Sequence, residues 1–430
     1  MNHRLLRSAV VLATACFALP ALADGQGIVL KGGTVHTGTG TKIDNGVVVL
    51  GTDGKILSVG TTVPTGAYKV VDCTGKVVTA GFVDYATQLG VVEVSLEKST
   101  RDGDGGGDDV RAAFRVSDGF NPNSAVIPIQ RTGGITSAVV APSGGFVKGQ
   151  SAWIDLHGPG AFARVAKAPV AMHVGLGQGT MGSRGATVLA LRELYDDVAF
   201  YAKNRKKFDV GQSRKLAASR LDLEALSLTV GGTVPVVFHV DRASDIRTAL
   251  QLAKELNLRP IIHGGAEAWM VKGELAAGKV PVVLDSMANL PQSFDALGTR
   301  EDNAAVLAAA GVPVVLSVFD THNARNVRQM AGNAVRGGMD WNAALAAVTT
   351  NPAAAAGMAD YGTLEKGKIA NVVVWSGDPF ELSTHVDAMY IGSVEVSLAN
   401  RQSALFKKYR KLPRRGAPAK YDEIDTDMPE

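Results

Sequence analysis

Val234-Pro-Val-Val-Phe-His-Val240, Ala243–Leu256 and Arg259-Pro-Ile-Ile-His263 make up the stretch that decides the fold. The first and last runs are apolar without polar alternation, as in strands buried on both faces of a parallel sheet. Between them Ile246, Leu250 and Ala253 recur at helical spacing. The stretch is a β–α–β unit, and both strands carry a histidine near their ends, His239 and His263.

Working outward, the same alternation runs in both directions. Val77–Tyr85, Ile135–Ala141, Ala168–Val174, Val280–Leu284 and Val312–Val318 are further strand candidates, and Ala152–Leu156 supplies an eighth. Glu301–Ala310 and Asn323–Gly337 read as helices. The expected fold is α/β, a (β/α)8 TIM-like barrel. A doubly wound sheet would place a glycine-rich fingerprint after its first strand, and none occurs. Short β runs broken by glycine flank the barrel at Gly27–Leu30, Gly46–Leu50, Lys55–Val59 and Lys69–Val71, and again at Ala370–Trp375 and Val386–Gly392. Asp53-Gly54 between two of them is a hairpin signal. The two ends are expected to pair into one small β-sandwich. The expected division is 1–23 signal segment, 24–78 sandwich, 79–358 barrel, 359–405 sandwich and 406–430 charged tail.

With 430 residues, 46% hydrophobic and 20% charged, the chain buries a large core and is not disordered. A net charge of +3 without a basic stripe gives no case for nucleic acid. Two cysteines exclude a disulfide scaffold and a cysteine-rich metal cluster. No Gly-x-Ser-x-Gly elbow or phosphate loop occurs, which removes serine-hydrolase and NTPase readings.

Arg4 and Arg7, the apolar Ser8–Leu22 and Ala21-Leu-Ala23 form a secretory signal with cleavage expected after Ala23. The apolar part is short for a membrane span, and Ala13-Thr-Ala-Cys16 lacks the leucine usual in a lipoprotein signal. The expected location is the periplasm or the exterior. Cleavage removes Cys16, leaving Cys73 as a buried small hydrophobe. The tail from Lys407 turns from basic to acidic and is expected to be irregular.

Barrel enzymes build their sites at the C-terminal ends of the strands. His173, His239, His263 and His322 all fall at or after such ends, with Asp320 two residues before His322. Imidazoles on adjacent strands converge on one metal or one reacting group. His36, His157 and His385 lie elsewhere and read as structural.

Several segments together resemble the amidohydrolase superfamily, and within it the imidazolonepropionase-like group. They are Asp72–Asp84, Gly133-Gly-Ile-Thr-Ser, His239–Ile246, Ile261–Ala268, Ala344–Pro352 and Gly362–Lys368. The resemblance spans nearly the whole chain after the signal and implies the same barrel and two-ended sandwich. It also implies hydrolysis of a carbon–nitrogen bond in a small amide, cyclic amide or dipeptide. The family ends its first barrel strand with two histidines one residue apart. Here Gly81-Phe-Val-Asp-Tyr-Ala-Thr-Gln-Leu-Gly90 places Ala86 and Gln88 at those positions. His239 and His263 match the fifth- and sixth-strand ligands, and His173 stands in for the bridging lysine or glutamate of the fourth strand. Asp320 is the candidate general base of the last strand, although counting puts Phe319 or Val318 at that position.

Two readings of this depleted site stay open. One keeps hydrolysis with a single divalent metal, zinc by preference, on His239, His263 and His173, with Asp320 taking the proton. The other has no metal and a barrel that binds a small ligand without chemistry. A scaffold that self-associates is the third function class. Arg242, Arg325, Gln88 and His322 are candidate substrate-binding residues, with Arg328 another cation for a carboxylate. Glu267 is expected to orient His263 or to favour the start of the next helix. The Asp-Gly loop Arg101–Asp109 follows the first strand; its carboxylates suit a hard cation, and its composition suits a solvated loop.

Overall fold

The computed structural model describes residues 26–107, 109–177 and 180–410. The signal segment 1–23 and the acidic end of the tail lie outside the described residues. Among the described residues no helix is long and apolar enough to cross a membrane.

The N-terminal strands are β1 (Gly27–His36), β2 (Lys42–Leu50), β3 (Ile56–Gly60), β4 (Tyr68–Asp72) and β5 (Val77–Ala80). β1 is the hub: it runs antiparallel to β2 and parallel to both β4 and β5. Asp53-Gly54 makes the β2–β3 turn, with Gly54 at φ 80° and the amide of Lys55 donating to Asp53 Oδ1 at 3.1 Å. The expected strand Val77–Tyr85 is two strands. The chain bends at Gly81, where a Cβ would stand 2.1 Å from Thr136 Oγ1, so no other residue fits.

The bend passes the chain into the barrel: β6 (Phe82–Thr87), β7 (Ile135–Val140), β8 (Val147–Gln150), β9 (Ala152–Asp155), β10 (Arg164–Lys167), β11 (Met172–Gly175), β12 (Val236–Val240), β13 (Pro260–Gly264), β14 (Val282–Leu284) and β15 (Val314–Leu316). β6 and β7 are parallel, and so is the run from β11 to β15. The third barrel position departs from the expected regularity. A strand does form at Ala152–Asp155, but it runs antiparallel to β7, while β8 runs antiparallel to β11. The ladders therefore form two arcs, β10-β9-β7-β6 and β15-β14-β13-β12-β11-β8, and not one closed ring. At the β6/β15 seam side chains take over: Ser317 Oγ donates to Asp84, and the amide of Gln88 donates to Thr321 Oγ1 at 3.2 Å.

Val83, Tyr85, Val139, Trp153, Val237, Ile261, Val283 and Val315 pack together with Ala353 and Ala355. The last two sit on the helix Thr350–Ala355. Asn351 of that helix donates to the carbonyl of Val314, at the start of β15, and so closes the end where the strands begin. This leaves the opposite rim open to the loops.

The C-terminal strands β16 (Val372–Trp375), β17 (Val386–Ile391) and β18 (Val394–Glu395) return to the first sheet through β16 antiparallel to β5. β16 alternates between two cores, as a strand of period two must. Val372 and Val374 join Leu30 and Leu50, whereas Val373 and Trp375 join the barrel core. The Trp375 ring lies 4.9 Å from Phe82, and its Nε1 donates to Thr79 Oγ1 at 2.9 Å. The tail departs from expectation at its start: Lys407 and Lys408 lie in the last turn of a helix, Arg401–Tyr409, opened by an Asn400/Ser403 capping box. Cations at a helix C-terminus favour that conformation.

Candidate functional site

The strand period sets the site. Val237 and Ile261 point into the barrel, so His239 and His263, two residues further on, do so as well, and they are direct partners in the β12–β13 register. Ala171, just before β11, and His173 within it repeat the relation. The three imidazoles meet: His173 Nδ1 and His239 Nε2 share a hydrogen bond of 3.0 Å, and the rings of His239 and His263 are centred 4.1 Å apart. His173 is fully buried, and its Nε2 has no partner. Burial holds all three below the ordinary histidine range, His263 to about 4. The nearby Lys148 ammonium pushes each the same way, as does His263 for the other two. They are neutral imidazoles at neutral pH.

Phe319 completes the cluster. Its ring stacks on His263 at 4.3 Å and 28°. Its backbone is left-handed, φ 57°, which an aromatic residue adopts only at a cost of about 1–2 kcal/mol. Asp320 follows that turn and is close enough to Asp84 for its charge to raise the Asp84 carboxyl. Asp320 is exposed and accepts from the amide of His322 at 2.7 Å and from Asn323. Asp320, the expected general base, thus accepts bonds within its own loop, and Phe319 is the residue stacked on His263.

At the end of β6, Ala86 is buried, and the Gln88 carboxamide nitrogen donates to Ser143 Oγ at 3.0 Å. His322 ties the last loop to the first, its Nε2 donating to the carbonyl of Glu93 at 2.9 Å. Arg325 donates to the carbonyl of His322, and its own amide donates to Gln130 Oε1. Arg328 binds the carbonyls of Pro379 and Glu381. Gln88, His322, Arg325 and Arg328 thus brace loops, while Arg242 stands exposed at the start of the helix Ala243–Glu255. Glu267 neither orients His263 nor serves the next helix. Its carboxylate takes the amides of Ala243 (2.9 Å) and Gly298 (3.0 Å), joining two neighbouring loops.

Two ionisable groups were given no role by the sequence. Asp84 is fully buried, and burial raises its carboxyl to about 7 against the opposing bonds from Ser317, Ala86 and Val318; its Oδ2 has no partner. Lys148 lies on β8, in a stretch with no local signature, and only the sheet brings it beside the histidines.

The site therefore consists of strand-end imidazoles on a parallel arc, in a barrel joined to one sheet built from both ends of the chain. The amidohydrolase family model matches residues 222–403. Amidohydrolase tasK of Hapsidospora irregularis is 24% identical over 346 residues, covering 72% of this chain; the chain spans 35% of that relative's length. An amidohydrolase from Thermotoga maritima MSB8 superposes with a TM-score of 0.77 at 27% identity, over 86% of this chain and 99% of that one. A zinc-bound adenosine deaminase from Xanthomonas campestris shares the fold, TM-score 0.52 at 15% identity, over 90% and 98%. The chain is thus similar to amidohydrolases in sequence over residues 222–403 and in fold over most of its length. None of these similarities singles out the imidazolonepropionase-like group.

The residues present do not fit the metal pair implied by the family resemblance. Ala86 has no donor atom, Gln88 offers only a carboxamide oxygen, a weak ligand for zinc, and a phenyl ring stacks on His263. His173 and His239 turn a nitrogen each toward one another. Among the described residues no group of three or more His, Cys, Asp or Glu side chains is arranged to hold a metal ion.

Proposed function

We propose that this amidohydrolase-like chain, exported by its N-terminal signal, binds a small organic ligand at the barrel mouth and has given up hydrolysis through a metal pair. The observation that carries this reading is the Phe319–His263 stack, which puts an apolar surface where the reaction would need a base. Neutral imidazoles beside an aromatic ring suit hydrogen bonding and stacking with a planar polar group such as an amide. A panel of small amides, cyclic amides and dipeptides, read by melting temperature with and without chelator, tests it. A rise that survives the chelator is expected; no rise across the panel removes the reading.

A second reading is hydrolysis of a carbon–nitrogen bond with one zinc on His173, His239 and His263. The unpartnered, buried Nε2 of His173 favours it, since three neutral imidazoles are a known zinc set. It requires the His173–His239 bond to open and predicts metal-dependent turnover that is lost in His239→Ala and His263→Ala.

A further inference from the structure

β8 is not a regular partner of β11. His173 pairs with Gly149 and Val174 with Val147, so Lys148 is the extra residue of a bulge. Bulges re-aim side chains, and are frequent beside active sites. This one is held by Gly149, at φ 116°, where a Cβ would stand 2.5 Å from the carbonyl oxygen of Phe114.

The bulged lysine is electrostatically coupled to His173, His239 and His263, and it also lines a polar cleft of about 170 Å3. Asp104, Asp109, Arg111, Ser143 and Gly144 form other parts of the wall. The ammonium is half-buried, with three donors. Its one hydrogen bond among the described residues is a long one, 3.4 Å to the carbonyl of Gly145. Asp104 does not neutralise it at contact distance. That carboxylate accepts from the amide of Gly106 at 2.8 Å and lies flat on Gly144, where a Cβ would be 2.4 Å from its Oδ1. A half-buried ammonium so poorly bonded is costly unless something else takes its donors. Among the described lining residues Lys148 and Arg111 are balanced by Asp104 and Asp109, so the cleft has no surplus of positive charge for a second negative charge on the ligand.

We propose that Lys148 anchors a singly charged small carboxylate in this cleft, placing the rest of the ligand against the histidine cluster. The proposal rests on the ligand-binding reading above and names its ligand class.

The test is calorimetric titration of the full chain with N-acetylglycine and with N-acetylglycinamide, which differ only in the carboxylate. Binding of the acid at least tenfold tighter than the amide is expected. Lys148→Met should lose tenfold or more for the acid and little for the amide. Lys148→Arg, which keeps the charge if the Met variant does not fold, should retain the preference. Asp104→Asn, which removes the opposing charge, should tighten the acid. Equal affinity for acid and amide overturns the lysine anchor and leaves ligand binding at the mouth standing. An acid preference unchanged in Lys148→Met also overturns it. No binding of either probe, to any of these proteins, overturns the carboxylate site.

Discussion

The ring of Phe319 lies over the ring of His263, centroids 4.3 Å apart and planes 28° from parallel. A carboxylate at that position would stabilise a proton on the imidazole; a phenyl ring desolvates it. The contact thus reinforces the neutrality that burial already imposes on His263.

Replacing the ring should reverse the effect. In Phe319→Asp the new charge faces His263 at close range, and an opposite charge favours the protonated form. The imidazole is expected to titrate at least one pH unit above its position near 4. Its ring-proton chemical shifts followed against pH would show this. An unchanged midpoint would mean that residue 319 does not face the ring.

Stability should fall on the acid side. A histidine held below its unfolded value of 6.5 leaves the folded chain unprotonated while the unfolded chain takes up protons. The contribution of His263 is therefore fully present above about pH 6.5 and is lost as pH falls toward 4, at up to about 1.4 kcal/mol per pH unit. His173 and His239 add in the same direction. Urea unfolding at pH 8, 6.5 and 5 measures the slope, and His263→Gln should flatten it.

Asp84 acts with the opposite sign. Its carboxyl is raised from 3.8 to about 7, so its neutral form suits the fold, and its contribution is lost as pH rises from 4 through 7. Asp84→Asn keeps an acceptor for Ser317 and cannot ionise. It should stabilise the chain at pH 8 by on the order of 2 kcal/mol and have little effect at pH 4. Equal effects at both values would show that Asp84 does not titrate in this range.

The joint between the terminal sheet and the barrel should be sensitive to one side chain. Trp375 is fully buried, packs on Phe82 and donates to Thr79. Gly134 meets its ring so closely that a Cβ would lie 2.1 Å away. Trp375→Ala is expected to cost about 3–5 kcal/mol. A loss below about 1 kcal/mol, by chemical denaturation, would mean that the joint tolerates a cavity.

Much of this architecture was legible in apolar runs. The β–α–β unit around His239 and His263 follows from unbroken hydrophobic strands and a helical period, and both histidines stand where strand alternation puts them. Meeting of the two chain ends in one sheet was legible from their matching β texture. The antiparallel third position was not, because a strand's direction depends on its partners and not on its own residues. Local order also hid the place of Phe319: its left-handed φ is improbable for that residue type, and only the fold sets its ring on His263. Lys148 was invisible for a related reason. Only the bulge opposite His173 brings it to the mouth.

Metal content of the purified chain, measured by mass spectrometry after incubation with excess zinc and removal of unbound ions, tests the central claim most directly. A site in which His173 and His239 are bonded to each other and no three ligating side chains are arranged around a metal should retain well under one zinc per chain, and His239→Ala/His263→Ala should not change the figure. One or two metals per chain, lost in that double variant, would contradict it and establish the barrel mouth as a metal centre.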